Sequence, residues 1–279
     1  MNRLELIKNQ LSKTNEAVRK KEGIVLVEEA VGIKGVKVVT MNSGLNALSK
    51  DLMSSLYQAL VKLDNDEETR VIILTGKGKA FAAGADIKTL KQTEYSSIVK
   101  NDWFLQPLEY ISYHITKPVI AAVNGIAYGG GFELALACDI IIASEKAIFG
   151  FPELKLGLFP GAGGTQRLSR LMGYHKAMEY ILTTKDIPLP ELKTFGVVND
   201  VVPHDDLLKH TAKMAESIAK FSLMAVYAAK KAIKMSLETN LYSGLKTEKY
   251  LFESLFNTVD KKSGVDAFLA KKPANFQDK

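Results

Sequence analysis

A chain of 279 residues, 47% hydrophobic and 24% charged, has the make-up of an ordinary globular protein and is long enough to bury a substantial core. No apolar run reaches the roughly 18 residues that a membrane-spanning helix requires, and the longest, 132–143, is interrupted by Glu133 and Asp139. The net charge of +6 is spread along the chain and mixed with acids, so it reads as a solvated surface that would tolerate a small polyanionic ligand but does not suggest a nucleic-acid partner. The lone cysteine, Cys138, excludes an intrachain disulfide and suits a reducing compartment, cytoplasmic or mitochondrial matrix. The four histidines show no metal-ligand spacing, so no metal is expected.

Residues 1–22 form an N-terminal extension rich in Lys and Arg, with Leu4, Ile7 and Leu11 at helical spacing and two acids, Glu5 and Glu16, that a transit peptide would avoid. The β-rich segments 23–29 and 36–41 flank the turn-like residues 32–35 and predict a hairpin. Ser49 predicts a helix N-cap, followed by an apolar stripe at Leu52, Leu56, Leu60 and Leu63. Buried strands are expected at 70–76, 118–125 and 139–144, with a short helix over 131–138. Strand–helix alternation of this kind argues for a layered α/β fold with parallel strands, here assigned to a core of residues 23–204. From 205 to 279 the pattern changes to four helices, at 205–219, 222–238, 241–258 and 261–271, with more apolar surface than one core needs. That region is expected to build a homo-oligomer.

Two glycine-rich segments carry the chemistry. The first, 125–134, reads GIAYGGGFEL; the second, 149–153, reads FGFPE and runs on to the turn PGAGG at 160–164. Each contains a glutamate in oily surroundings, Glu133 and Glu153, where ionisation is costly unless it is compensated. A pair of this kind suggests an acid and a base around one small reactant. Glycines before a helix leave backbone N–H groups bare, and the segment 79–87 offers a second such place. Two donors from separate loops are what an oxyanion hole needs. Taken singly, each glycine cluster is most simply a strand-to-helix turn; the combination in one chain is what points to a site. Dinucleotide, phosphate-loop and nucleophile-elbow motifs are not matched.

These residues resemble the crotonases, the enoyl-CoA hydratase/isomerase superfamily, and within it the short-chain enoyl-CoA hydratases. The resemblance runs from about Gly23 to the C-terminus and rests on FAAGADIK at 81–88, KPVIAAVNG at 117–125, the segments 129–139 and 149–168, and ANF at 274–276. It implies a spiral of ββα turns with C-terminal helices that build a trimer or a dimer of trimers. It further implies an acyl-CoA thioester held by the N–H groups of Ala85 and Gly130, water activated by Glu133, a proton delivered by Glu153, and Gly161 positioning the water. Ala83, Asp86, Ile87, Lys88, Gly44 and Leu45 match the coenzyme A loops, and Phe268 and Lys271 match the tail that reaches a neighbouring subunit's coenzyme A. No cofactor beyond coenzyme A within the substrate is implied. The loop before Leu45 is shorter than the family pattern, with Ser43 near the place of a usual basic contact, so the carry-over at Gly44 is weaker.

Trp103, Phe104, Leu105 and Leu108 are candidates for the acyl pocket. Other crotonase reactions (branched-chain methylglutaconyl-CoA hydration, isomerisation, thioester hydrolysis) share the framework, and some relatives bind RNA through a lysine-rich helix. The corresponding helix here mixes Lys50 and Lys62 with five acids, a poor footprint for nucleic acid.

Overall fold

The computed structural model describes residues 23–100 and 103–279; the N-terminal extension lies outside the described residues. The chain opens with the expected hairpin, β1 (Val25–Glu29) antiparallel to β2 (Val36–Met41), and continues through α1 (Lys50–Asp64). Ser49 caps α1, its side chain accepting from Leu52 N at 3.3 Å.

Three ββα units then follow. The first is β3 (Val71–Gly76), β4 (Ala80–Ala82) and the short helices α2 (Ile87–Gln92) and α3 (Tyr95–Lys100). Next come α4 (Gln106–Glu109), continued by a π-turn at Tyr110–His114, and then β5 (Val119–Val123), β6 (Ile126–Tyr128) and α5 (Gly130–Ala137). The third unit is β7 (Ile140–Ser144), β8 (Ile148–Gly150), a 3₁₀ turn at Glu153–Leu156, and α6 (Gly164–Met172). Beyond it lie α7 (Tyr174–Thr183), α8 (Leu189–Thr194), β9 (Asp200–Val202), α9 (Leu207–Ala219), α10 (Leu223–Met235), α11 (Leu241–Ser254) and α12 (Val259–Leu269).

Within each unit the first strand joins a six-stranded sheet, ordered β1-β2-β3-β5-β7-β9, and the second joins a three-stranded sheet, ordered β4-β6-β8. All pairings but β1 with β2 are parallel. The chain therefore winds as a spiral, returning to each sheet once per unit, which is the architecture the sequence implies. The small sheet is absent from the reading of individual segments and is expected only through the ββα turns that the resemblance implies. Its three strands are three residues each, too short for a period-2 pattern to register, and β6 abuts the glycine run 129–131.

Alternation along the central strands explains the burial on both faces. Ile72, Leu74, Val119, Ala121 and Val123 point into the main core with α1 and α5, whereas Val71, Ile73, Ile120, Ala122 and Ile142 face the opposite side. That opposite side is covered by Leu207 and Ala215 of α9.

Candidate active site

Glu133 lies in the first turn of α5 and is 1% exposed. Its Oε1 accepts from Ala162 N and Gly164 N, both at 2.7 Å, so the turn after β8 is tied to the carboxylate. Behind it, Phe132 stacks on Phe151 with ring centres 5.0 Å apart and meets Phe149 edge-on at the same distance. These rings supply the low-polarity wall expected from the sequence. The close fit extends to the backbone: a Cβ at Gly131 would sit 2.0 Å from Ala82 O, so only glycine lets α5 rest on β4.

Glu153 opens the 3₁₀ turn. Its carboxylate rests against Gly129, where an added Cβ would lie 2.5 Å from Oε1. Gly129 has φ 52° and ψ −123°, a conformation that favours glycine, so bare backbone at this position serves both the turn and the glutamate. Glu133 N donates to Gly129 O at 2.9 Å, so both acids meet the backbone of Gly129.

The two carboxyls have different surroundings. Burial pushes Glu153 up to about 7, opposed by its own amide and reinforced by the charge of Glu133. Its Oε2 is buried with no hydrogen-bond partner among the described residues. Burial also pushes Glu133 up, against the Gly164 and Ala162 amides and the Arg167 charge. Glu133 is the more deeply buried acid, but two N–H donors on one oxygen favour its carboxylate, whereas the unpartnered Glu153 oxygen favours the protonated form. These surroundings favour the protonated form at Glu153 over Glu133.

The candidate oxyanion donors converge on Leu48. Gly130 is the first residue of α5, so its N–H has no acceptor within the helix. Leu48 bridges Ala85 by donating to Gly84 O at 2.8 Å and accepting from Asp86 N at 3.5 Å, which leaves the Ala85 N–H outside that ladder. The Leu48 side chain lies 3.2 Å, and Phe104 2.8 Å, from where a Cβ on Gly130 would stand. Gly84 packs on the Tyr128 carbonyl and comes within reach of Gly130 N, so the two loops meet.

The remaining candidates divide into groups. Ala83 N donates to Leu45 O at 3.1 Å, which sets Gly44 and Leu45 beside 83–88. Leu45, Ile87 and Lys88 are exposed there. Asp86 has a structural task the sequence reading did not foresee: it caps α2 by accepting from Thr89 N and Oγ1, and those bonds hold its carboxyl below the usual range. Gly161 lies next to the two amides that bind Glu133. Trp103, Phe104 and Leu105 pack at the edge of the core, but Leu108 is 1% exposed and is a core residue rather than a pocket wall. Phe268 and Lys271 are exposed, on and just beyond α12.

Several residues of the site escaped the sequence reading. Asn46, buried in a left-handed conformation, donates to Ala80 O at 2.8 Å and locks the 43–46 turn onto β4. Tyr128 donates to Asp186 at 2.8 Å beside Gly150. Arg167 grips the 162–164 turn. An asparagine, an aspartate and an arginine far apart in sequence give no local signal that they share one site. Among the described residues there is no group of three His, Cys, Asp or Glu side chains able to hold a metal.

The sequence profile of the enoyl-CoA hydratase/isomerase family matches residues 32–279. The chain belongs to that family. It is 46% identical over 246 residues to a probable mitochondrial enoyl-CoA hydratase of Dictyostelium discoideum, covering 88% of each chain. It is 46% identical over 252 residues to a probable enoyl-CoA hydratase of Rhizobium meliloti, covering 90% of this chain and 97% of the relative. The crystal structure of an enoyl-CoA hydratase from Bacillus anthracis superposes with a TM-score of 0.87 at 38% identity, covering 92% of this chain and all of that one. The family fold, a parallel α/β spiral with a C-terminal helical region, is the one described above.

Proposed function

We propose that this chain is an enoyl-CoA hydratase that adds water reversibly across the double bond of a trans-2-enoyl-CoA to give the 3-hydroxyacyl-CoA. The observation that carries the mechanism is the asymmetry of the two glutamates: Glu133 bound by two amides, Glu153 buried with a free oxygen. Water between them gives a proton to Glu133 as its oxygen bonds to C3. The π electrons move toward the thioester oxygen, where the N–H groups of Ala85 and Gly130 stabilise the developing negative charge; one such donor is typically worth about 3 kcal/mol of barrier. Glu153 then delivers its proton to C2. Gly161 and its turn position the water.

The coenzyme A part of the substrate is read along Gly44, Leu45, Ala83, Asp86, Ile87 and Lys88, with Phe268 and Lys271 reaching in from a neighbouring copy of a trimer or a dimer of trimers. Phe104 beside Gly130 borders the acyl chain. The reaction consumes only thioester and water, so the reading includes no metal and no redox cofactor. It describes an enzyme of the cytoplasm or mitochondrial matrix. No helix among the described residues is long and apolar enough to cross a membrane.

The assay is loss of the conjugated enoyl-thioester absorbance of crotonyl-CoA. The unsubstituted chain should consume it, while Glu133→Gln and Glu153→Gln each lose at least about 10³-fold in kcat, as the removal of a general acid or base predicts. Activity surviving in either variant would remove that glutamate from the mechanism.

A further inference from the structure

The turn that grips Glu133 is itself gripped. Arg167, one turn into α6, donates from Nη1 to Ala162 O at 3.0 Å and from Nη2 to Ser112 Oγ at 2.7 Å. Its own N–H donates to Gly163 O at 2.8 Å. Gly163 has φ 107°, and a Cβ there would lie 1.9 Å from Nη1, so the guanidinium fills the space a side chain would take. Ala162 is thus held at both ends of its peptide groups, the N–H on Glu133 and the carbonyl on Arg167. Ser112 belongs to the π-turn 110–114, and π-turns recur at functional sites. A planar guanidinium can join two acceptors on separate elements in a fixed geometry; a lysine ammonium is a point charge on a flexible stem.

We propose that Arg167 is a positioning residue for Glu133, fixing its carboxylate by clamping the 162–164 turn against the π-turn at Ser112. The proposal rests on Glu133 being the base of the hydration described above. Arg167 acts through the turn and through its charge, and has no part in contacting the reacting atoms. The charged groups facing Glu133 are Arg167 from α6 and Glu153 from the 3₁₀ turn. Without the guanidinium, burial acts with less opposition, and Glu133 holds its proton to higher pH.

The test uses the full chain with Arg167→Met, Arg167→Lys and Ser112→Ala. Titration of Glu133 is followed by NMR on glutamate-labelled protein, with Glu133→Gln identifying its resonance, and hydration of crotonyl-CoA is measured alongside. In Arg167→Met the titration should move upward, and kcat should fall about 30-fold with KM within about threefold, since a misplaced group costs turnover more than binding. Arg167→Lys should retain part of the titration and less of the turnover. Ser112→Ala should lower kcat by a smaller factor in the same direction. A folded Arg167→Met chain with an unmoved Glu133 titration would overturn the proposal, as would kcat and KM changing together. If Arg167→Met does not fold, parental titration and kcat in both other variants overturn it. Failure of the unsubstituted chain to hydrate any enoyl-CoA would sink the hydratase reading alone, because the titration reads the clamp without a reaction.

Discussion

Two carboxyls packed about Gly129 differ in their hold on a proton because their remaining polar contacts differ. Glu133 accepts two amides, and Glu153 Oε2 accepts none among the described residues. Hydration requires the pair to hold one proton, as does dehydration, since each direction leaves the acid and the base exchanged. The overall reaction takes up no proton, so both directions share one pH profile. Glu153 lies at about 7 because burial raises it. Its protonated form is therefore lost as pH rises through 7, and kcat/KM should fall above that point in both directions. A profile flat from pH 6 to 9 would contradict the assignment of Glu153 as the acid. Glutamates that follow closely on a Gly–Phe pair, as at 131–133 and 150–153, are conspicuous in a sequence, so this pair was legible. Their difference was not, because it depends on amides 29 and 31 residues further along the chain.

At the scale of elements, the ββα unit is what brings the oxyanion donors together. Each unit's second strand is short and ends at a loop, and the small sheet stacks those loop ends side by side. The long strands β3, β5 and β7 and the helices α1 and α5 were readable because each has a clear apolar pattern or cap. Strands β4, β6 and β8 were not, since their signal is the absence of a side chain where two backbones touch. Gly131 is the test of that contact. A Cβ there meets the Ala82 carbonyl at 2.0 Å, a backbone atom that no rotamer change can move. Gly131→Ala should cost about 2 kcal/mol in urea denaturation, in the range of an overpacked core. An unchanged midpoint would mean α5 and β4 can separate freely.

Across the whole molecule, the C-terminal helices are fastened to the spiral by buried charge rather than by apolar contact alone. Lys230 and Lys234 of α10 reach Asp139 at 2.8 and 3.1 Å and also donate to the carbonyls of Lys117 and Ile111. Burial draws the Lys230 ammonium below its ordinary value, and Asp139 opposes that. Farther on, Arg70 pairs with Asp278 and donates to Ala219 O and Phe221 O, while buried Asp260 accepts the amides of Gln277 and Asp278. Asp139→Ala strands a buried ammonium and should destabilise the chain by about 3 kcal/mol, with much of that recovered on adding Lys230→Met. No recovery would show that Asp139 acts mainly through its bond to Val119 N. The sequence conveyed that this region is helical and apolar outside, as Tyr242, Phe252, Phe256 and Phe268 are. It did not convey the lysine anchors, since a lysine in a helical stripe looks the same whether it faces water or a buried carboxylate.

The central claim, that the pair of glutamates adds water across the enoyl double bond, is tested most directly by following the atoms. Crotonyl-CoA is incubated with the protein in deuterated, oxygen-18 water and the product is read early by mass spectrometry. The account predicts 3-hydroxybutyryl-CoA carrying one oxygen-18 on C3 and one deuterium on C2. A but-3-enoyl-CoA carrying deuterium at C2 and no oxygen-18, or free coenzyme A with oxygen-18 in the released acid, would contradict it and assign the same site to isomerisation or hydrolysis.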